Sequence, residues 1–145
     1  MKGKRAVALL FITFAACGGG SSSSGSREKV PEVVSGSTWS AVTVHGGSAS
    51  AEAPANLRED ITPLLATRRL DRPGPLAEYG LDHPQAALTY TGKAGSSAEV
   101  DVGQPNFDRH FVYVQRRGRP AVYLVPADTL RQALALVGID LKPPE

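Results

Sequence analysis

The chain has 145 residues, with 16 lysines and arginines against 14 aspartates and glutamates, a formal net charge of +2 and a single cysteine. One cysteine excludes an internal disulfide framework, and a charge this close to balance excludes the strongly basic surface expected of a nucleic-acid binder. The length suits one domain of ordinary size.

Met1-Lys2-Gly3-Lys4-Arg5 is a basic start, and Ala6 to Phe14 is an apolar run of nine residues. An export signal needs an apolar core of about 7–15 residues, whereas a helix that spans a bilayer needs about 20. Ala15-Ala16 and the lone Cys17 follow, and then the Gly/Ser run from Gly18 to Ser26. This order resembles a bacterial lipoprotein signal with Phe14-Ala15-Ala16-Cys17 as its lipobox, although Phe14 stands where that family usually has Leu. The resemblance implies cleavage before Cys17 and acylation of its thiol. It places the protein in the cell envelope, at the outer membrane or on an extracytoplasmic membrane face. Gly18 stands in place of the Asp that retains some such proteins at the inner membrane. Loss of Lys2, Lys4 and Arg5 with the leader leaves thirteen basic and fourteen acidic residues, a net of −1. A flexible Gly/Ser tether of this length reaches roughly 20 Å.

Beyond the tether, Thr38 to Val44 is rich in β-formers and alternates, which predicts a strand ended by Gly46-Gly47. Leu57, Ile61, Leu64 and Leu65 share a helical stripe that Asn56 would cap. Pro63 requires that helix to kink or to restart. Pro75 and Gly80 bracket a short helical turn. Ala86 to Thr91 and Ser97 to Val102 alternate as a hairpin around Gly92-Lys93-Ala94-Gly95, closed by Gly103. Phe111 to Gln115 and Ala121 to Val125 form a second hairpin, with Arg116-Arg117-Gly118-Arg119-Pro120 at its turn. Asp128 to Val137 carries Leu130, Leu134 and Val137 on one stripe, which predicts a closing helix with Gly138 just past its end. The expectation is an α+β domain: an antiparallel β-meander of about four to five strands, with one helix before it and one after. The expected divisions are 1–16 signal, 17–36 tether, 37–138 domain and 139–145 tail.

The series Tyr79-Gly80-Leu81-Asp82-His83-Pro84-Gln85, Val102-Gly103, Phe111-Val112-Tyr113-Val114 and Ala121-Val122-Tyr123-Leu124-Val125 resembles a bacterial domain-of-unknown-function family, DUF4340. Some of its members are accessory components encoded with gliding-motility-type ABC transporters. The resemblance therefore implies an envelope accessory protein and transfers no catalytic residue.

The residues carry few signs of chemistry. His45, His83 and His110 lie 38 and 27 residues apart, which is no metal-ligand spacing. His45-Gly46-Gly47 has no G-x-S-x-G partner motif, and no phosphate-binding loop occurs. Glu59-Asp60 and Glu99 with Asp101 fall on solvated faces, where acid–base chemistry lacks its cleft. No cofactor, metal or catalytic residue is assigned. Cys17 is the lipid-attachment residue. Arg116, Arg117 and Arg119, with Arg109 nearby, are the candidates for contact with lipid headgroups, envelope polymer phosphate or an acidic partner. Tyr79, Gly80 and Leu81 are expected to pack, and Tyr90, Tyr113, Tyr123 and Phe111 are candidates for an aromatic strip. The expected function is a non-enzymatic, lipid-anchored binding or scaffolding component of an envelope complex. A small envelope hydrolase with His83 or His110 beside a carboxylate in a deep pocket is one alternative, and a purely structural lipoprotein is another.

Overall fold

The computed structural model describes residues 30–36 and 39–141. The signal, Cys17, the Gly/Ser run and residues 142–145 lie outside the described residues.

Among the described residues, nine strands and two α-helices follow in chain order: β1 (Glu32–Val34), β2 (Trp39–Gly46), β3 (Ala49–Glu52), α1 (Ala55–Asp60), β4 (Leu64–Leu65), β5 (Arg68–Leu70), β6 (Ala86–Gly92), β7 (Ser97–Pro105), β8 (Phe111–Arg116), β9 (Val122–Pro126) and α2 (Ala127–Ala135). The main sheet has seven strands in the order β3-β2-β6-β7-β8-β9-β5, all neighbours antiparallel; β1 and β4 make a separate pair. The expected four to five strands are therefore corrected to seven. The meander β6 to β9 stands as read, and the additions are its edges.

Alternation explains the main strands. Val42 and Val44, Leu88 and Tyr90, Val100 and Val102, Val112 and Val114, and Tyr123 and Val125 are buried on one face. Helix α2 lays Leu130, Ala133 and Leu134 against that face and touches both β2 and β9. Those strands are four spacings apart, about 19 Å on a flat sheet, whereas a helix is about 10–12 Å across. The sheet must therefore curl around α2. Tyr90 is fully buried, donates its hydroxyl to the Ile61 carbonyl at 2.7 Å and meets Trp39 edge to face at 5.7 Å. Burial pushes its phenol well above the ordinary tyrosine range.

The first helix is shorter than its stripe. α1 stops at Asp60, and Leu64–Leu65 pair with β1 as a strand. Pro63 has no N–H to continue the helix and disfavours helical backbone at Thr62, so the chain neither kinks nor restarts. Pro54, rather than Asn56, precedes the first turn, and it makes no side-chain cap. Residues on both sides of the 37–138 span join the packing. Val33 and Val34 of β1 are buried in the core, and Ile139 and Leu141 pack against it. α2 ends at Ala135, two residues before the expected Val137, and the turn that follows closes at Gly138, φ +68; Gly138 N–H bonds to the Ala135 carbonyl at 3.2 Å and Ile139 N–H to the Leu134 carbonyl at 3.0 Å. These are the two bonds of a Schellman motif. No helix among the described residues is long and apolar enough to cross a membrane.

Candidate interaction surface at the β8–β9 tip

The outer face of the sheet carries two structures, a packed strap and an arginine tip. The strap is the segment from Gly74 to Gln85. Its 3-10 turn (Leu76–Tyr79) ends at Gly80 in the left-handed region, φ +70. Leu81 is buried, the Tyr79 ring lies 4.8 Å from that of Tyr113 on β8, and the Tyr79 hydroxyl accepts from Gly74 N–H at 3.0 Å. Gln104 Nε2 donates to the Glu78 carbonyl at 2.7 Å. Gly103 does not close β7, which runs on to Pro105. It is a mid-strand glycine because a Cβ there would overlap the Tyr79 carbonyl oxygen. Tyr79, Gly80, Leu81, Gly103 and Tyr113 are thus one packing device.

The tip is the turn between β8 and β9. Register places Asp101 opposite Gln115, and Arg117 N–H bonds to the Glu99 carbonyl at 2.8 Å. Glu99 and Asp101 therefore share the outer face with Arg117. Its guanidinium meets the Glu99 carboxylate and lies 2.7 Å from Asp101 Oδ1. The hydrogen bond that Arg117 donates to Asp101 raises the arginine's already high pKa, and the charges of Asp101 and Glu99 act the same way. Gly118 turns the chain at φ +86, and Arg119 N–H closes onto the Arg116 carbonyl at 3.1 Å. Arg116 is half-buried across from Val100, and Arg119 is exposed. Among the described residues neither guanidinium has an ion-pair partner. Arg116, Arg119 and Gly118 line a shallow hollow of about 310 Å³ with Ser97, Ala98 and Glu99.

The four arginines singled out in the sequence are thus separated by their structure. Arg116 and Arg119 offer charge, Arg117 spends its charge holding the turn, and Arg109 lies at the other end of β8. That strand has six residues, about 20 Å. Arg109, near the tip arginines in the sequence, is set apart from them by β8, a strand that its alternating residues already show. The sequence also places Glu99 and Asp101 on a wet face but does not show that they hold Arg117; the hairpin register supplies that link.

The remaining candidates scatter. His45 Nε2 lies 3.1 Å from Thr89 Oγ1. His83 is exposed 4.0 Å from Asp82, and exposed His110 has its backbone N–H on Asp108 at 2.9 Å. His83 and His110 each lie near an aspartate, His110 through its backbone N–H, and both are exposed rather than enclosed in a deep pocket. Among the described residues no three His, Cys, Asp or Glu side chains gather as metal ligands. The aromatic strip divides: Tyr90 and Tyr123 face the core, while Phe111 and Tyr113 alternate with buried Val112 and Val114 on the outer face. Cys17 lies outside the described residues.

No curated protein and no solved structure matches the chain. A family model described as "Domain of unknown function (DUF4340)" matches residues 39–137, from the first residue of β2 to the last turn after α2. That span holds the strap, its Gly103 socket and the arginine tip, and it covers more than half of the sequence: the chain belongs to the DUF4340 family.

Proposed function

We propose that this chain is a lipid-anchored cell-envelope protein, held through an acylated Cys17, whose α+β domain binds an acidic partner in an envelope complex through Arg116 and Arg119. In this reading it is a non-enzymatic accessory, of the kind found beside ABC-transporter or gliding-motility-type assemblies. The observation that carries it is the fixed turn: Arg117 is tied to Glu99 and Asp101, so its two neighbours are presented without a partner on an ordered support. A turn held before binding loses less conformational freedom on association, and arginine forks suit carboxylate or phosphate. The continuous apolar run from Ala6 to Phe14 and Ala15-Ala16-Cys17 support the anchor.

Two measurements test the two halves. Mass spectrometry of the mature N-terminus is expected to show a diacylglyceryl Cys17, and Cys17→Ser to release or misprocess the protein; a mature chain that retains residues 1–16 sinks the anchor. A pull-down from detergent-solubilised envelope is expected to lose its partner with Arg116→Ala/Arg119→Ala at low salt. Equal recovery by variant and parent removes the tip from the function.

A further inference from the structure

The end of the sheet opposite the arginine tip concentrates exposed apolar side chains. Among the described residues, Phe107 is 98% exposed, Val30 53% and Leu65 41%. Three connections bring them to one end. Phe111, which closes the Phe107 loop, pairs with Pro126, and Ala127 N–H bonds to the His110 carbonyl at 2.8 Å. Pro126 in turn lines a groove of about 620 Å³ together with Val30, Pro31, Leu65, Ala66 and Arg68. Ala66 N–H bonds to the Pro31 carbonyl at 2.8 Å, which fixes Val30 beside the groove. β8, β9 and β5 are successive strands, so the Phe107 loop and the groove are about 10 Å apart across the sheet.

The Phe107 loop is built rather than loose. Asn106 Oδ1 accepts from Phe111 N–H at 3.1 Å, Asp108 Oδ1 accepts from His110 N–H at 2.9 Å, and Arg109 N–H reaches the Asn106 carbonyl at 3.0 Å with Arg109 at φ +64. A ring held out by such a loop inserts with little further loss of freedom. Arg68 and Arg109 flank the apolar groups, and among the described residues neither guanidinium has a carboxylate partner, whereas Arg69 meets Asp71 and Arg131 meets Asp128. The chain that connects Cys17 to the domain joins it at Val30, on this same end.

We propose that this end of the domain rests on an anionic lipid bilayer, with the Phe107 ring at the headgroup boundary, Val30 and Leu65 beside it, and Arg68 and Arg109 on lipid phosphate. Apolar side chains inserted a few ångströms, flanked by arginine, are the usual chemistry of interfacial binding. The proposal deepens the lipid-anchored reading and rests on it for the direction of approach. It leaves the Arg116–Arg119 tip pointing away from the membrane toward a partner.

The test removes the anchor. The described core lies within residues 30–141, so a chain starting at residue 17 and carrying Cys17→Ser contains all of it. This protein is sedimented with vesicles of phosphatidylglycerol and phosphatidylcholine and with phosphatidylcholine alone. Binding to the mixed vesicles is expected, with about a tenfold or greater loss in Phe107→Ala and roughly fivefold for each of Arg68→Ala and Arg109→Ala. Phe107 is exposed, so its variant keeps the parent circular dichroism, and Arg116→Ala/Arg119→Ala binds vesicles as the parent does. Parent protein that stays in the supernatant overturns the proposal, as does a Phe107→Ala variant that binds undiminished. Dimerisation in solution that depends on Phe107, without vesicle binding, overturns it in favour of a second copy. An unmodified native Cys17 by mass spectrometry contradicts the anchor while leaving vesicle binding by this face to stand or fall by itself.

Discussion

The two connections that flank β8 are held by different physics. The loop from Asn106 to His110 is stabilised locally, by Asn106 and Asp108 side chains bonding backbone N–H groups two to five residues away. The turn from Arg117 to Ala121 is stabilised at long range, by one guanidinium that reaches two carboxylates on β7, 16 and 18 residues back. The first presents an exposed phenylalanine and the second presents arginines. Local amide and carboxylate bonds to backbone are insensitive to salt, whereas an exposed ion network is screened by it. One end of the domain is therefore set to hold its shape against an apolar surface under any ionic condition. The other is set to respond to charge.

The sharpest break of this contrast comes from the strap that lies on the outer face between the two ends. Gly103→Ala sets a methyl group against the Tyr79 carbonyl, and backbone opposing backbone has no rotamer through which to escape. Urea unfolding is expected to show a loss of about 3 kcal/mol, with the strap freed and both ends disturbed. Asn106→Ala comes next, at about 1 kcal/mol, unchanged between low and high salt, with faster exchange confined to 106–110. Arg117→Ala is smallest. Arg117 is itself more than half exposed, so the loss is below about 1 kcal/mol, fades as salt is raised, and loosens 117–121 alone. A salt-sensitive Asn106→Ala or a salt-insensitive Arg117→Ala would erase the distinction.

How far this could be read from the residues depended on burial. β2 and β6 to β9 alternate because one face of each lies on the core, and Leu130, Leu134 and Val137 repeat because α2 buries one side. Such patterns survive in a single sequence. The edge strands do not show them: Arg68-Arg69-Leu70 and Ala49-Ser50-Ala51-Glu52 have little to bury, so nothing alternates. Of the stripe Leu57, Ile61, Leu64 and Leu65, the first three are buried, Leu64 from a strand after Pro63, whereas Leu65 faces outward. Gly103 read as a strand end because its reason, the Tyr79 carbonyl, lies 24 residues away in the chain. Phe107 drew no attention because an isolated aromatic in a connection carries no periodicity; only its exposure on an ordered loop distinguishes it. The tip arginines were legible as a cluster, while the division of labour among them waited on the β7–β8 register.

The most direct measurement is amide hydrogen exchange on the protein bound to vesicles of phosphatidylglycerol and phosphatidylcholine, compared with the protein free in solution. The two-ended account predicts added protection at 65–68 and 106–110 and none at 117–121. Protection at 117–121 with the Phe107 loop unchanged would turn the domain over and contradict it.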